Sequence, residues 1–233
     1  PINLTIDENG LHYVADTGRN QVIIFDADEK YLGAIGVKDE MKPTDVAVSA
    51  DRLYVTDLKT PSVRVYDKQE RKLLFTIPRG LVTETNRLFS PTNLALDSEG
   101  NLYVSDTGAF RVLKFYSEGN YLRAFAKHGG EPGTLARPKG VAVDREGRVY
   151  VVDAATQVLQ VWDAEGRLLL FLGEPGASAV ELNLPSKVVV DYDHVAQFQK
   201  YAAAGFKLEH LIFVVNQYGS QKVNVFGFGS KKS

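Results

Sequence analysis

The sequence predicts an all-β protein, a β-propeller of four-stranded antiparallel blades, and three observations carry that prediction. One pattern recurs, an aromatic three residues before an aspartate and another nine after it: Tyr13–Asp16–Phe25, Tyr54–Asp57–Tyr66, Tyr103–Asp106–Phe115 and Tyr150–Asp153–Trp162. A fifth copy, Phe213–Asn216–Phe226, lengthens the second spacing by one residue and replaces the carboxylate by an amide. Prolines 43, 91, 138 and 185 open successive copies, and a regular period of this size marks a repeat architecture. Within each copy, short β-branched and aromatic segments alternate with turn signals. Such a sheet is apolar on both faces, as in Val141-Ala-Val143 and Val149-Tyr-Val-Val152, so it must be covered on both, and radial stacking of the copies does this.

The first blade, residues 1–42, holds strands at Asn3–Asp7, Leu11–Ala15, Gln21–Phe25 and Tyr31–Ile35, with an Asn-Gly turn at Asn9-Gly10. The second, 43–90, has Asp45–Val48, Leu53–Thr56, Val63–Tyr66 and Leu73–Ile77, then a long exit loop from Pro78 to Ser90. The third, 91–137, has Asn93–Asp97, Leu102–Ser105, Val112–Phe115 and Tyr121–Ala126. The fourth, 138–184, runs from Gly140–Asp144 to Leu168–Leu172. Proline just before each first strand fixes φ and offers no N–H where the chain takes the innermost position.

The fifth blade, 185–233, is incomplete. It has Lys187–Asp191, Leu211–Val215 and Lys222–Phe226, with 227–233 as a tail and no outer strand. Residues 192–210 interrupt its first hairpin. Asp193 as N-cap, Val195, Phe198 and Ala202 on one stripe, and Gly205 as terminator predict a short helix. That helix either plugs the blade edges or docks a partner through Gln197 and Lys200. The missing outer strand leads us to expect an open five-bladed arc completed by a further segment, or a strand donated by a partner chain.

Composition narrows the function. The formal net charge is −2, from 27 basic and 29 acidic side chains, so no overall basic field attracts nucleic acid or anionic lipid. There is no cysteine, which excludes disulfides, thiolate zinc sites, thiol nucleophiles and haem attachment through Cys-x-x-Cys-His. No apolar run approaches the roughly 18 residues of a spanning helix. The glycine-rich loops at 129–133 and 173–176 lack the Lys-Ser/Thr ending of a phosphate loop. No signal peptide is present, and the chain starts at Pro1 without a methionine, from which we expect something to have been removed upstream.

The run from Pro91 to Phe115, P-x-[NG]-[LV]-A-[VL]-D, then G-x-[LV]-Y-V-x-D-T-G, then R-V-x-x-[FW], resembles the NHL repeat. Asp144, Gly147, Tyr150 and Asp153 stand in the matching positions of the fourth copy, while Leu58-Lys-Thr-Pro61 departs from the pattern in the second. The resemblance implies a six-bladed complete ring, of which this chain supplies five copies, and a bacterial source. It also brings into view six-bladed enzymes, namely lyases that use metal and histidine, and lactonases that hold calcium with acids and amides around the channel. The counterparts here are Asn3, Asp45 and Asn93, two residues after their prolines; Gly140 and Lys187 break that ring. The insertion followed by Phe213-Val-Val-Asn-Gln-Tyr-Gly219 resembles secreted proteins of this family, some of which accompany multihaem cytochromes at the cell surface, and so implies an extracytoplasmic location and such an assembly as partner.

The residues themselves lead us to expect a non-enzymatic protein-interaction scaffold with no catalytic residue and no cofactor, and calcium-dependent hydrolase or lyase activity as the alternative. The repeated aspartates fit structural bonding to backbone N–H groups better than acid–base chemistry. Partner contacts are expected at Arg79, Arg87, His128 and Arg137 on the inter-blade face, or at Gln197 and Lys200 on the helix. Nucleic acid is not expected. The cations Arg19, Lys59, Arg79, Arg87, Arg137 and Lys139 are interleaved with Asp39, Glu40, Glu84, Glu131, Glu174 and Glu181, which weakens counterion release. Three of the four histidines, His12, His194 and His210, look scattered.

Overall fold

The computed structural model describes residues 1–37, 39–173 and 180–231. Most of the 173–176 loop, Glu174 among it, therefore lies outside the described residues. The chain divides into two compact units, Pro1–His128 and Gly129–Ser233.

The first unit holds three four-stranded antiparallel meanders in sequence order. They are β1 Asn3–Ile6, β2 His12–Asp16, β3 Gln21–Phe25 and β4 Tyr31–Ile35; β5 Pro43–Val48, β6 Arg52–Asp57, β7 Ser62–Asp67 and β8 Leu73–Ile77; and β9 Pro91–Leu96, β10 Leu102–Asp106, β11 Arg111–Phe115 and β12 Tyr121–Phe125. Turn aspartates set the first hairpins of the first and third sheets: Asp7 Oδ1 accepts the N–H groups of Asn9 and Leu11, and Asp97 Oδ1 those of Glu99 and Asn101. Between adjacent sheets, Tyr13, Val22, Val46 and Leu53 pack in one core and Val63, Leu94, Leu113 and Phe115 in the next.

The second unit holds a four-stranded meander, β13 Pro138–Val143, β14 Val149–Asp153, β15 Val158–Trp162 and β16 Leu168–Leu172, and a three-stranded sheet. The latter comprises β17 Pro185–Asp191, β18 Phe206–Asn216 and β19 Val223–Lys231. Tyr150, Val152, Leu159, Val188 and Ile212 form the core between them. These are the predicted blades, with the expected three strands in the fifth.

The insertion is shorter than its sequence implied. Helix α1 spans Val195–Phe198 and continues as one 3-10 turn, Gln199–Tyr201. Asp193 is not its cap; Asp191 accepts the His194 N–H and pairs with the His194 ring instead. Gly205 lies in the turn that starts β18 rather than ending the helix. Residues 206–210 and the expected tail 227–231 pair with each other, so β18 and β19 extend well beyond the rest of their sheet.

Four innermost strands carry one extra residue at their start. The register slips between Pro43 and Val46, between Pro138 and Val141, between Pro185 and Lys187, and opposite Ser105/Asp106 in β9. A bulge of this kind takes side chains out of the strand's in-and-out alternation and re-aims them. The residues affected are those that follow the blade prolines.

Candidate functional site

The repeated aspartates are fully used by the fold. Asp57 accepts the N–H groups of Lys42 and Lys59, Asp106 those of Phe89 and Ser90, and Asp153 those of Ala136, Arg137, Ala155 and Thr156. Each ties the loop leading into its blade to the blade's second strand. Asn216 does the same in the fifth sheet by accepting the Asn183 N–H, which explains why an amide suffices there. Burial raises the Asp106 carboxyl above its usual range although these backbone donors oppose it.

In the first unit the structure brings Asn3, Asp45 and Asn93 onto neighbouring innermost strands. Asn3 Nδ2 donates to the Thr44 carbonyl at 2.8 Å. The fully buried Asp45 accepts its own strand's Val46 N–H at 3.0 Å, and its Oδ2 takes the Leu94 N–H at 3.1 Å and Asn93 Nδ2 at 3.4 Å. These contacts join one sheet to the next. As a calcium site the set does not fit. The cation wants six to eight oxygens, whereas here one carboxylate already accepts N–H groups with both oxygens. Among the described residues no three His, Asp or Glu side chains gather as a metal would require.

In the second unit the same positions are occupied differently. Gly140 lets β17 approach β13 closely: a Cβ there would lie 2.6 Å from Lys187 Cα and from the Val188 nitrogen. The neighbouring strand starts thereby carry Lys139, Ser186 and Lys187, all half-buried. Burial, and secondarily the positive charge of Arg137, lower the Lys139 amine below the ordinary lysine value. An amine so placed gives up its proton more readily than a solvated lysine. In the sequence Lys139 is only one of several interleaved cations, because the bulge and the burial that distinguish it are not local properties.

The remaining expected contact residues lie on different elements. Arg79 is exposed, donates its backbone N–H to the Gly119 carbonyl and covers the Phe75 ring. Arg87 pairs with Glu84 at 3.1 Å, and His128 lies against the Phe110 ring. Arg137 is exposed in the second unit, as are Gln197 and Lys200 on the insertion. His210, which looked scattered, is instead buried beside the Tyr150 hydroxyl at 3.0 Å, stacked on Phe228, while Tyr150 donates to Asp144 at 2.9 Å. Burial lowers its pKa.

No protein-family profile and no curated protein matches this chain. Solved structures do. It is similar to a streptogramin B lyase (TM-score 0.65, 12% identity, 98% of this chain and 68% of that one). It is also similar to hydrazine synthase from Kuenenia stuttgartiensis (0.63, 17%, 98% and 66%). A third is a gluconolactonase from Xanthomonas campestris (0.64, 20%, 91% and 68%). The chain thus spans about two thirds of the length of each. At these identities the likeness establishes the fold, a β-propeller, and leaves the NHL assignment a resemblance. It also corrects the expectation of a non-enzymatic scaffold, since propellers of this shape include a lyase and a lactonase and nothing in the fold favours a scaffold. No helix among the described residues is long and apolar enough to cross a membrane.

Proposed function

We propose that this chain belongs to a hydrolase or lyase of the six-bladed propeller class, acting on a substrate that is anionic or becomes so during reaction. The observation that carries the reading is Lys139, a half-buried amine beside Arg137, re-aimed by the bulge at the start of an innermost strand. In its neutral form it takes a proton, from water in hydrolysis or from carbon in elimination. Lys187, on the adjoining strand, and Arg137 supply positive charge for the oxyanion that develops. Cations in these places disfavour calcium in the second unit, and the reading routes no step through it. A protein partner, an extracytoplasmic setting and a bacterial source belong to the same proposal; the resemblance to secreted NHL proteins supports them, and pull-down from the native organism tests the partner.

A panel of lactones, aryl esters and cyclic esters, assayed with calcium and with chelator, tests the chemistry. Turnover is expected, with a rate that rises as pH increases through a value below that of ordinary lysine, because the base must be unprotonated. Lys139→Met should lower kcat/KM by about 100-fold or more at unchanged melting temperature. No turnover across the panel, or full activity in the variant, would sink the reading.

A further inference from the structure

The insertion in the fifth sheet builds a cleft against the β18–β19 ribbon. It encloses about 330 Å³ between the helix and the long β18–β19 ribbon, with walls of Phe198, Tyr201, Phe206, Leu208, Leu211 and Val225. Phe198 is anchored from behind by an edge-to-face contact with Phe213, centroids 5.9 Å apart. Thus one aromatic of the insertion does cover the blade, as a plug would, yet the space beside it stays open. Small residues, Ala202, Ala203 and Gly227, complete its lining.

Several polar groups beside the wall are already committed. Gln199 donates from Nε2 to the Phe206 carbonyl at 2.8 Å and accepts the Leu208 N–H at 3.0 Å, stapling the insertion to the ribbon. The Phe206 N–H goes to the Ala203 carbonyl and the Ala202 N–H to the Gln199 carbonyl. A polar guest would therefore lose water for few new partners, whereas an apolar guest loses nothing. The cleft lies at the small end of small-molecule sites. At its rim Tyr201 is 74% exposed, and the Lys200 ammonium sits 4.9 Å from the centre of its ring. A cation beside an apolar opening is complementary to an anionic head on an apolar body.

We propose that this cleft binds a small apolar carboxylic acid, with its ring or short alkyl chain inside and its carboxylate at Lys200. This site is independent of Lys139 and of the reaction proposed above. The probes are 4-phenylbutanoate and its neutral amide, titrated calorimetrically into the full chain. The acid should bind saturably at one site and more tightly than the amide. Lys200→Gln should weaken the acid by about threefold, as expected for an exposed charge pair, and leave the amide unchanged. Ala203→Trp should abolish both, with Val225→Phe as a second filling variant should the first fail to fold. Absence of saturable binding, or binding that survives both filled variants, overturns the proposal. Self-association of the wild type that Ala203→Trp removes would overturn it too, by making the cleft a contact between copies. Ester or lactone turnover should be the same in Lys200→Gln and the wild type, which separates this site from the catalytic reading.

Discussion

Asp57, Asp106 and Asp153 each spend a buried carboxylate on backbone N–H groups that no β-ladder satisfies, and for this reason the residue recurs in every complete blade of the pattern. Asp106→Ala leaves the Phe89 and Ser90 donors without their acceptor, and should lower stability by about 1–3 kcal/mol, read as a shift of the urea midpoint at constant m-value. An unchanged midpoint would contradict the role. His210 is a different single-residue case. Facing it are the Tyr150 hydroxyl, the Asp144–Arg148 pair, the Phe228 and Tyr192 rings, and more distantly Glu146 and Glu209. Its folded pKa lies below the ordinary 6.5, so the unfolded chain binds the proton first as pH falls. The stability due to His210 is therefore complete above about 6.5 and is lost below it. His210→Gln should remove that part of the pH dependence, measured as unfolding midpoints between pH 8 and pH 5.

At the level of single elements, the β18–β19 ribbon carries both the cleft wall and His210. Its far end depends on Gly229, where a Cβ would collide with the carbonyl oxygen of Lys207 across the ladder. Backbone cannot yield as a flexible side-chain end can. Gly229→Ala should accordingly open the pairing of residues 206–208 with 229–231 while leaving β17 paired with β18. Amide hydrogen exchange would show faster exchange confined to the ribbon end; uniform protection would refute the account. The innermost strands share a related feature: their bulges place Thr44, Thr92, Lys139 and Ser186 out of alternation.

Taken as a whole, the molecule should be acid-labile. In Asp7 and Asp97 burial works to raise the pKa, but it is outweighed for Asp7 by Lys68 and the backbone donors of Leu11 and Asn9, and for Asp97 by Asn101 and Lys114, so both end lowered. Asp16 and Asp191 are likewise held down by backbone and side-chain partners. A carboxylate lowered in the fold contributes stability above the ordinary carboxylate range and loses it as pH falls through the folded value. Unfolding midpoints should consequently fall a second time below about pH 4, after the histidine step, and that second fall should persist in His210→Gln. A midpoint flat from pH 5 to pH 3 would show that these pairs contribute nothing.

The blades were legible because everything that defines them is local. Period-two burial, Asx turns such as Asp97–Asn101, prolines before the first strands and the aspartate spacing all act within about a dozen residues. The extension of the fifth sheet could have been read too: Phe206, Leu208 and His210 alternate with Lys207 and Glu209, a strand signature that the helix signals next to it obscured. Other features have no local signal. His210 meets Tyr150 across 60 positions of sequence, Gly140 matters through the backbone of Lys187, and Lys139 differs from other surface lysines only by a bulge and by burial among neighbours. Local patterning chooses strands and turns, because those are governed by backbone geometry and by which face meets water. Desolvation and close approach arise only once distant strands pack together, and it is they that lower the Lys139 amine and make an inserted loop the wall of a cleft.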